Sequence, residues 1–280
     1  VSRVAIATCA GENVDPDAPL LLHALAHVGV DAAQVVWDEP SVDWDRYDLV
    51  VLRSTWDYAT RRDEFLAWAR GVTKLVNPYQ VVEYSSDKHY LDDVASRGHH
   101  VVPTKFFEVG ASPEFPDLDF VVKPSVGAGS IDAVRYRGDE HARARAHVKR
   151  LHGLGRSVIV QPYVHTVDTL GERALIYIDG SFSHALTKGA MLNVAGDERD
   201  ALYRREQMSR AKPEADALAF ANGLLHDMEL NELLYARVDL VATTHGWSLM
   251  ELELVEPSLF LAFDDAAPLR LAAGIQRRAS

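Results

Sequence analysis

With a single cysteine, Cys9, the chain cannot form an internal disulfide. No nearby His or Lys motif would activate that thiol, and its place after the apolar run Val4–Ala7 reads as a buried strand end. No apolar stretch approaches the roughly eighteen residues of a membrane-spanning helix, and the first residues lack the basic-then-apolar order of a signal peptide. A cytoplasmic protein with no membrane partner is therefore expected. Positive charge is scarce as well: 29 Lys and Arg stand against 41 Asp and Glu, a formal net charge of -12. That balance argues against nucleic acid as a partner, while leaving room for a local cationic pocket. Internal repeats and low-complexity segments are absent. What is present is 280 residues with 48% hydrophobic content, enough for two or three packed subdomains.

The chain reads as α/β. Strand patterns at Val4–Thr8, Ala33–Val36 and Leu49–Leu52 alternate with a helix at Pro19–Val28, as in open parallel sheets. Ligands of such sheets sit beyond the strand C-termini, which nominates the cluster Arg53-Ser54-Thr55-Trp56-Asp57-Tyr58 that leaves the third strand. Equally, Asp57 or Thr60 could serve as N-cap of the helix holding Phe65, Trp68 and Ala69. Asn77-Pro78 breaks the pattern, and a boundary is expected near residue 84, followed by a helix with Lys88 near its start and Tyr90, Leu91 and Val94 on its apolar face. Strands Phe120–Val122 and Ala133–Arg135 flank the small-residue loop Ser125–Ser130, and helix His141–Leu151 and strand Val158–Pro162 follow. An antiparallel section then runs through Arg173–Ile178, the turn Asp179-Gly180 and Phe182–Thr187. The polar stretch Asn193–Pro213 suggests a mobile loop before helix Glu214–Met228. Strands Tyr235–Ala242 and Trp247–Leu254, joined at His245-Gly246, precede a closing helix around Pro268–Arg277.

Two constellations carry chemistry. Lys123 leaves a buried strand beside Ser125, Gly127, Ala128, Gly129 and Ser130, so an ammonium group and backbone N–H groups can meet phosphate oxygens together. The ending of a P-loop is missing, and taken alone the pattern also suits a glycine hairpin with a snorkelling lysine. Downstream, hairpin pairing brings Asp239 to Glu251 and Glu253, with Met250, Leu252 and Leu254 expected on the opposite face. Three carboxylates in a strand interior repel one another unless a cation compensates them, and a hard, oxygen-seeking ion such as Mg²⁺ suits them. An exposed acidic edge is the alternative. His165, Asp168 and His184 read as surface polar residues.

The order of Lys88, Lys123 with its loop, Gln161-Pro162-Tyr163-Val164, Glu172-Arg173, Asp239 and Glu251-Leu252-Glu253 resembles the ATP-grasp superfamily, notably its glutathione synthetase and ribosomal-protein glutamate ligase branch. The resemblance covers residues 86 to 258. It implies an N-terminal open α/β domain (1–84), a central lid subdomain (85–160) and a C-terminal antiparallel-sheet domain (161–280). It also implies that Lys88 and Lys123 contact ATP phosphates under the small-residue loop, and that Gln161 with the Tyr163 and Val164 backbones faces adenine. Asp239, Glu251 and Glu253 would hold Mg²⁺, with Glu253 where the family has Asn and Glu256 as the alternative third ligand. Arg173, Arg237 and Lys188 would supply positive field for phosphoryl transfer, which asks for positioning and charge neutralisation more than covalent help.

Residues 53–58 and 249–258 are further similar to the O-ureido-serine cyclo-ligases, the cycloserine synthetases. That similarity implies a small amino-acid-like substrate, activated at its own carboxylate and closed by its own nitrogen. Arg53, Thr55, Asp57 and Tyr58 would then be candidates for the amino-acid pocket. An intermolecular carboxylate–amine ligase and a nucleotide-binding regulator without turnover are the other readings.

Overall fold

The computed structural model describes residues 1–11, 15–190, 192 and 208–280. Its first layer is a parallel sheet in the order β2-β1-β3-β4, built from β1 (Arg3–Thr8), β2 (Asp31–Val36), β3 (Leu49–Ser54) and β4 (Leu75–Val76). Helices α1 (Ala18–His27) and α2 (Arg62–Gly71) connect these strands. All six residues of β3 are buried, as expected for a central strand covered on both faces. Cys9 is buried at the end of β1, where its N–H donates to the Ser54 carbonyl.

Two short helices follow, α3 (Tyr79–Ser85) and α4 (Tyr90–Ser96). The first was not expected from the sequence: Pro78, extended at the N-cap, begins a helix there rather than ending order. Lys88 correspondingly stands between the two helices, not within the second. The lid sheet, in the order β5-β8-β6-β7, is antiparallel and comprises β5 (Lys105–Phe107), β6 (Phe120–Pro124), β7 (Val134–Tyr136) and β8 (Val158–Pro162). Helix α5 (His141–Gly153) covers it with Ala144, Val148 and Leu151, spaced i, i+4, i+7, against Phe120, Val122, Val158 and Val160. His147 shares this buried face, and burial drives its pKa down to about 4, so it stays neutral.

After α6 (Val167–Leu170), the large antiparallel sheet follows in the order β11-β10-β9-β12-β13. It contains β9 (Glu172–Ile178), β10 (Ser181–Lys188), β11 (Met208–Ala211), β12 (Tyr235–Thr243) and β13 (Gly246–Glu253). Between β9 and β10, Asp179 and Gly180 both take positive φ, as a tight two-residue hairpin requires, and a Cβ on Gly180 would meet the Asn231 carbonyl at 2.2 Å. Helix α7 (Ala215–Asp227) and helix α4 pack on one face of the sheet through Ala217, Ala221, Leu224, Tyr90, Leu91 and Val94. Helix α8 (Ala267–Arg278) packs with α1 on the other, joining the first layer to the last in one core.

The stretch expected as a loop over 193–213 ends in strand β11, paired with β10 from Met208 to Ala211; residues 193–207, and with them the expected loop proper, lie outside the described residues. Asn77 fastens the parallel layer to the large sheet. Its amide nitrogen donates to the Tyr235 and Leu254 carbonyls at 3.0 and 2.8 Å, and its oxygen accepts from the Leu234 N–H. Among the described residues, no helix is long and apolar enough to cross a membrane.

Candidate active site

A cavity of about 510 Å³ lies where the lid sheet, the large sheet and the end of β3 meet. Its lining includes Lys88, Lys123, Gly127, Ala128, Gly129, Ser130, Gln161, Tyr163, Val164, Lys188, Arg237, Asp239, Glu251, Glu253 and Tyr58. Ser125 is not part of that lining. It is a buried tie, its N–H bonded to the Ser157 carbonyl and its own carbonyl accepting from the Lys88 N–H.

The floor comes from strand register. Asp239 faces Glu251 across the β12–β13 pair and Arg237 faces Glu253, so period-two alternation puts all four side chains on one face. Between Asp239 and Leu240 the register slips by one residue, making Met250 the extra residue of a bulge. Met250 was expected opposite the acids. The bulge instead turns it toward the cluster of Val102, Val167 and Val241 and the cavity, while Leu252 and Leu254 do face the core.

The acids are partnered by cations. Lys188 lies 2.8 Å from Asp239 and 3.1 Å from Glu172, Lys123 lies 2.5 Å from Glu251, and Arg237 grips both Asp239 and Glu253. Burial alone would push the Asp239 carboxyl up, but Arg237 and Lys188 outweigh it and hold the group below its ordinary value. Burial of Glu251 is likewise outweighed, by Lys123 and Lys88. Glu253 goes the other way: burial raises it, and the repulsion of Asp239 and Glu251 adds to that against the pull of Arg237.

Glu256, buried beside the Tyr58 hydroxyl, is pushed up to about 7 by burial first and Glu253 second. From the ordinary 4.5 up to about 7, the folded protein therefore keeps a proton that the unfolded chain has released. Stability falls as pH rises through that window, by up to about 3 kcal/mol. Glu256→Gln should remove the loss. Urea titrations of the ligand-free protein at about pH 5 and about pH 8 should show the variant gaining on the parent at the higher pH; parallel curves would refute this.

Among the described residues, no three His, Cys, Asp or Glu side chains stand together as a ready metal-holding group, because each floor carboxylate is turned to a cation. The donor chemistry nevertheless fits a hard cation. Glu172, Asp239, Glu251, Glu253 and Glu256 bring five carboxylates against the four cations Lys88, Lys123, Lys188 and Arg237, and the raised Glu253 and Glu256 are where compensation falls short.

Over the floor, Lys88 Nζ donates to the Gly127 carbonyl at 3.2 Å. The small-residue loop is strapped from behind: Asp132, in a left-handed conformation, accepts from Arg150 and Arg156 at 2.6 Å each, and Arg156 also donates to the Val126 carbonyl. At the end of β8, Gln161 is buried with its amide on Thr104, and the Tyr163 ring stacks under Arg135 with its hydroxyl on Asp168. Tyr163 N–H donates to the Asp119 carbonyl at 2.8 Å.

Other residues nominated from the sequence stand elsewhere. Arg53, only 1% exposed, lies outside the cavity against Asp15, Asp17 and the Pro257 carbonyl. Thr55 is fully buried. Asp57 neither lines the cavity nor caps α2; it accepts from Trp37 Nε1 and from Arg61. Of that cluster, Tyr58 and its neighbour Trp56 reach the cavity. Arg173 leaves the floor for Glu214, Thr187 and the Leu170 carbonyl. His184, read as surface, is buried with Nε2 on the Leu259 carbonyl.

Sequence reading named Glu172 in the motif order without giving it a role, and passed over Phe260. The first left a signal, since Glu172 and Lys188 are cross-strand neighbours of opposite charge. The second left none.

The profile of the family described as D-cycloserine synthetase DcsG, N-terminal domain, matches residues 4–77. The cycloserine biosynthesis protein DcsG of Streptomyces lavendulae is 38% identical over 95% of this chain and 94% of its own. A crystal structure of D-cycloserine synthetase DcsG superposes with a TM-score of 0.89 at 36% identity, over 99% of this chain and all of that one. At 14% identity, D-alanine–D-alanine ligase from Bacillus anthracis shares the fold with a TM-score of 0.70, covering 100% of this chain and 97% of the other. With a shared ATP-grasp fold and a relative of this identity aligned along nearly its whole length, the chain belongs to the D-cycloserine synthetase family of ATP-dependent ATP-grasp ligases.

Proposed function

We propose that the protein closes O-ureido-D-serine to D-cycloserine, with one ATP and one water consumed and ADP, phosphate, CO2 and ammonia released. The observation that carries this reading is the full-length similarity to a cycloserine biosynthesis protein, joined to a cavity whose floor sets Arg237 and Lys188 beside the Asp239–Glu251 pair. The three-part division at residues 84 and 160 belongs to the same reading, as does a cytoplasmic location.

The substrate carboxylate attacks the γ-phosphorus of ATP, ADP departs, and the acyl carbon is then open to the ureido-bearing nitrogen. As the C–N bond forms, the C–O bond to phosphate breaks, phosphate leaves with the electron pair and the nitrogen loses its proton. Water then adds to the carbamoyl carbon, the bond from that carbon to the ring nitrogen breaks with the proton going to that nitrogen, and the carbamic acid released falls apart to CO2 and ammonia. Lys88 and Lys123 hold nucleotide phosphates beneath the loop from Gly127 to Ser130, and the Tyr163 carbonyl and Val164 N–H read the base. Asp239, Glu251 and Glu253 would hold Mg²⁺, whose chemistry there would be to neutralise phosphate charge. Arg237, with its fork of donors, and Lys188 stabilise charge on the acyl oxygen and leaving phosphate, whereas Arg173 shapes the end of β9 through Glu214. Holding the substrate's nitrogen near its own acyl carbon gives ring closure the advantage of proximity.

ADP release with ATP and Mg²⁺, compared for O-ureido-D-serine, its L form and neither, should be stimulated by the D form, with a cycloserine mass appearing in step. Stimulation only by another acid together with a separate amine would replace ring closure by intermolecular ligation. No stimulated turnover with any of them would leave a nucleotide-binding protein.

A further inference from the structure

We propose that Phe260 is the specificity-determining wall of the acyl-transfer end of the cavity, held in place by Asp17 and Arg53, and that it keeps outside nucleophiles from the activated acyl group. The proposal rests on the acyl-phosphate chemistry above.

Phe260 has φ 52 and ψ 44, a left-handed conformation that a bulky side chain keeps only where its surroundings impose it. The surroundings here are specific. One carboxylate grips both flanking peptides: Asp17 Oδ2 accepts from the Leu259 N–H at 3.0 Å and Oδ1 from the Leu261 N–H at 2.8 Å. Arg53 donates to the Pro257 carbonyl at 2.8 Å, and both side chains are almost fully buried. The left-handed turn aims the ring into the cavity, 5.4 Å from the guanidinium carbon of Arg237, which itself donates to the Ser258 carbonyl at 3.2 Å.

A benzyl group there offers no hydrogen bond to a second substrate. It covers the cation assigned to the developing charge and excludes water from it. Such a wall suits a small acid that carries its nucleophilic nitrogen within itself, and it is the opposite of a groove for an incoming amine. Arg53, nominated from the sequence as a substrate contact, becomes a positioning residue acting through the 257–261 segment.

Hydroxylamine provides the test: its nitrogen attacks the acyl carbon, the C–O bond to phosphate breaks, and a hydroxamate and inorganic phosphate result. Hydroxamate per ADP is measured for the full chain, Phe260→Ala, Phe260→Leu and Asp17→Asn, using whichever acid stimulates ADP release. Phe260→Ala should raise the ratio about tenfold and lower cyclic product per ADP to match, Phe260→Leu should do so less, and Asp17→Asn should move it the same way with KM for ATP within about twofold. A purely structural role for Asp17 would reduce active protein without moving that ratio. Should Phe260→Ala fail to fold, the leucine and Asp17 variants decide. An unchanged ratio in the folded variants overturns the proposal. If the parent makes no ring from O-ureido-serine yet turns over another acid, the cyclisation reading fails while the ratio still judges Phe260.

Discussion

Arg237→Ala is expected to lower turnover by about a thousandfold and to destabilise the ligand-free protein by about 3–5 kcal/mol. Both effects have one origin. Arg237 is buried and holds Asp239, Glu253 and the Ser258 carbonyl at once. Truncation leaves Asp239, 1% exposed, with Lys188 as its remaining ionic partner, and leaves Glu253 facing two other acids. Uncompensated buried charge is expensive in the resting protein, and the missing guanidinium is costlier still when the acyl phosphate forms. Arg237→Lys keeps the charge without the two-armed geometry, so it should recover much of the stability and little of the rate. Urea midpoints and substrate-stimulated ADP release measure the two separately; an alanine variant turning over within about tenfold of the parent would remove Arg237 from the reaction.

Glu251→Gln is expected to reduce turnover by about a hundredfold or more and to weaken the response to added Mg²⁺, because a neutral amide is a poor ligand for a hard cation. Its stability effect has a definite sign. Glu251 sits below its ordinary value of 4.5 despite burial because Lys123 and Lys88 oppose that burial, so it contributes stability above that value which is lost as the pH falls toward the depressed one. The ligand-free variant should therefore be less stable than the parent at neutral pH, with the gap closing in acid. A gap that stays constant from pH 7 downward would show that the Lys123 pairing contributes nothing to folding.

Where the candidate site was written in local pattern, its placement could be read without coordinates. Strand alternation put Asp239, Glu251 and Glu253 on one face, and the small residues after Lys123 marked a loop beside a buried strand; the three acids and Gly127 to Ser130 line the cavity, while Ser125 does not. What escaped reading is non-local. The fate of Arg53 depends on Asp17 and on a carbonyl 204 residues away, and chain order alone cannot reveal that such a side chain turns inward. A bulge has no local signature strong enough to announce itself, so Met250 was assigned to the wrong face. His184 finds its partner, the Leu259 carbonyl, 75 residues away in the chain. The helix at Tyr79 was missed because Pro78 starts a helix as readily as it stops one.

The amide of Asn77 has a mechanical consequence. It is bolted to two strands of the large sheet, and the Tyr235 hydroxyl reaches back to the Leu52 and Val255 carbonyls from the other side. The parallel layer and the large sheet therefore behave as a single anvil, with Tyr58 and Arg237 at fixed positions on its face. The lid sheet carries Lys123 and the phosphate loop, and Asp132 and Arg156 bind that loop's far end to the same sheet. With those ties the loop is part of the piece that carries it, so any displacement of that sheet would take the loop along as cargo rather than as a flap of its own.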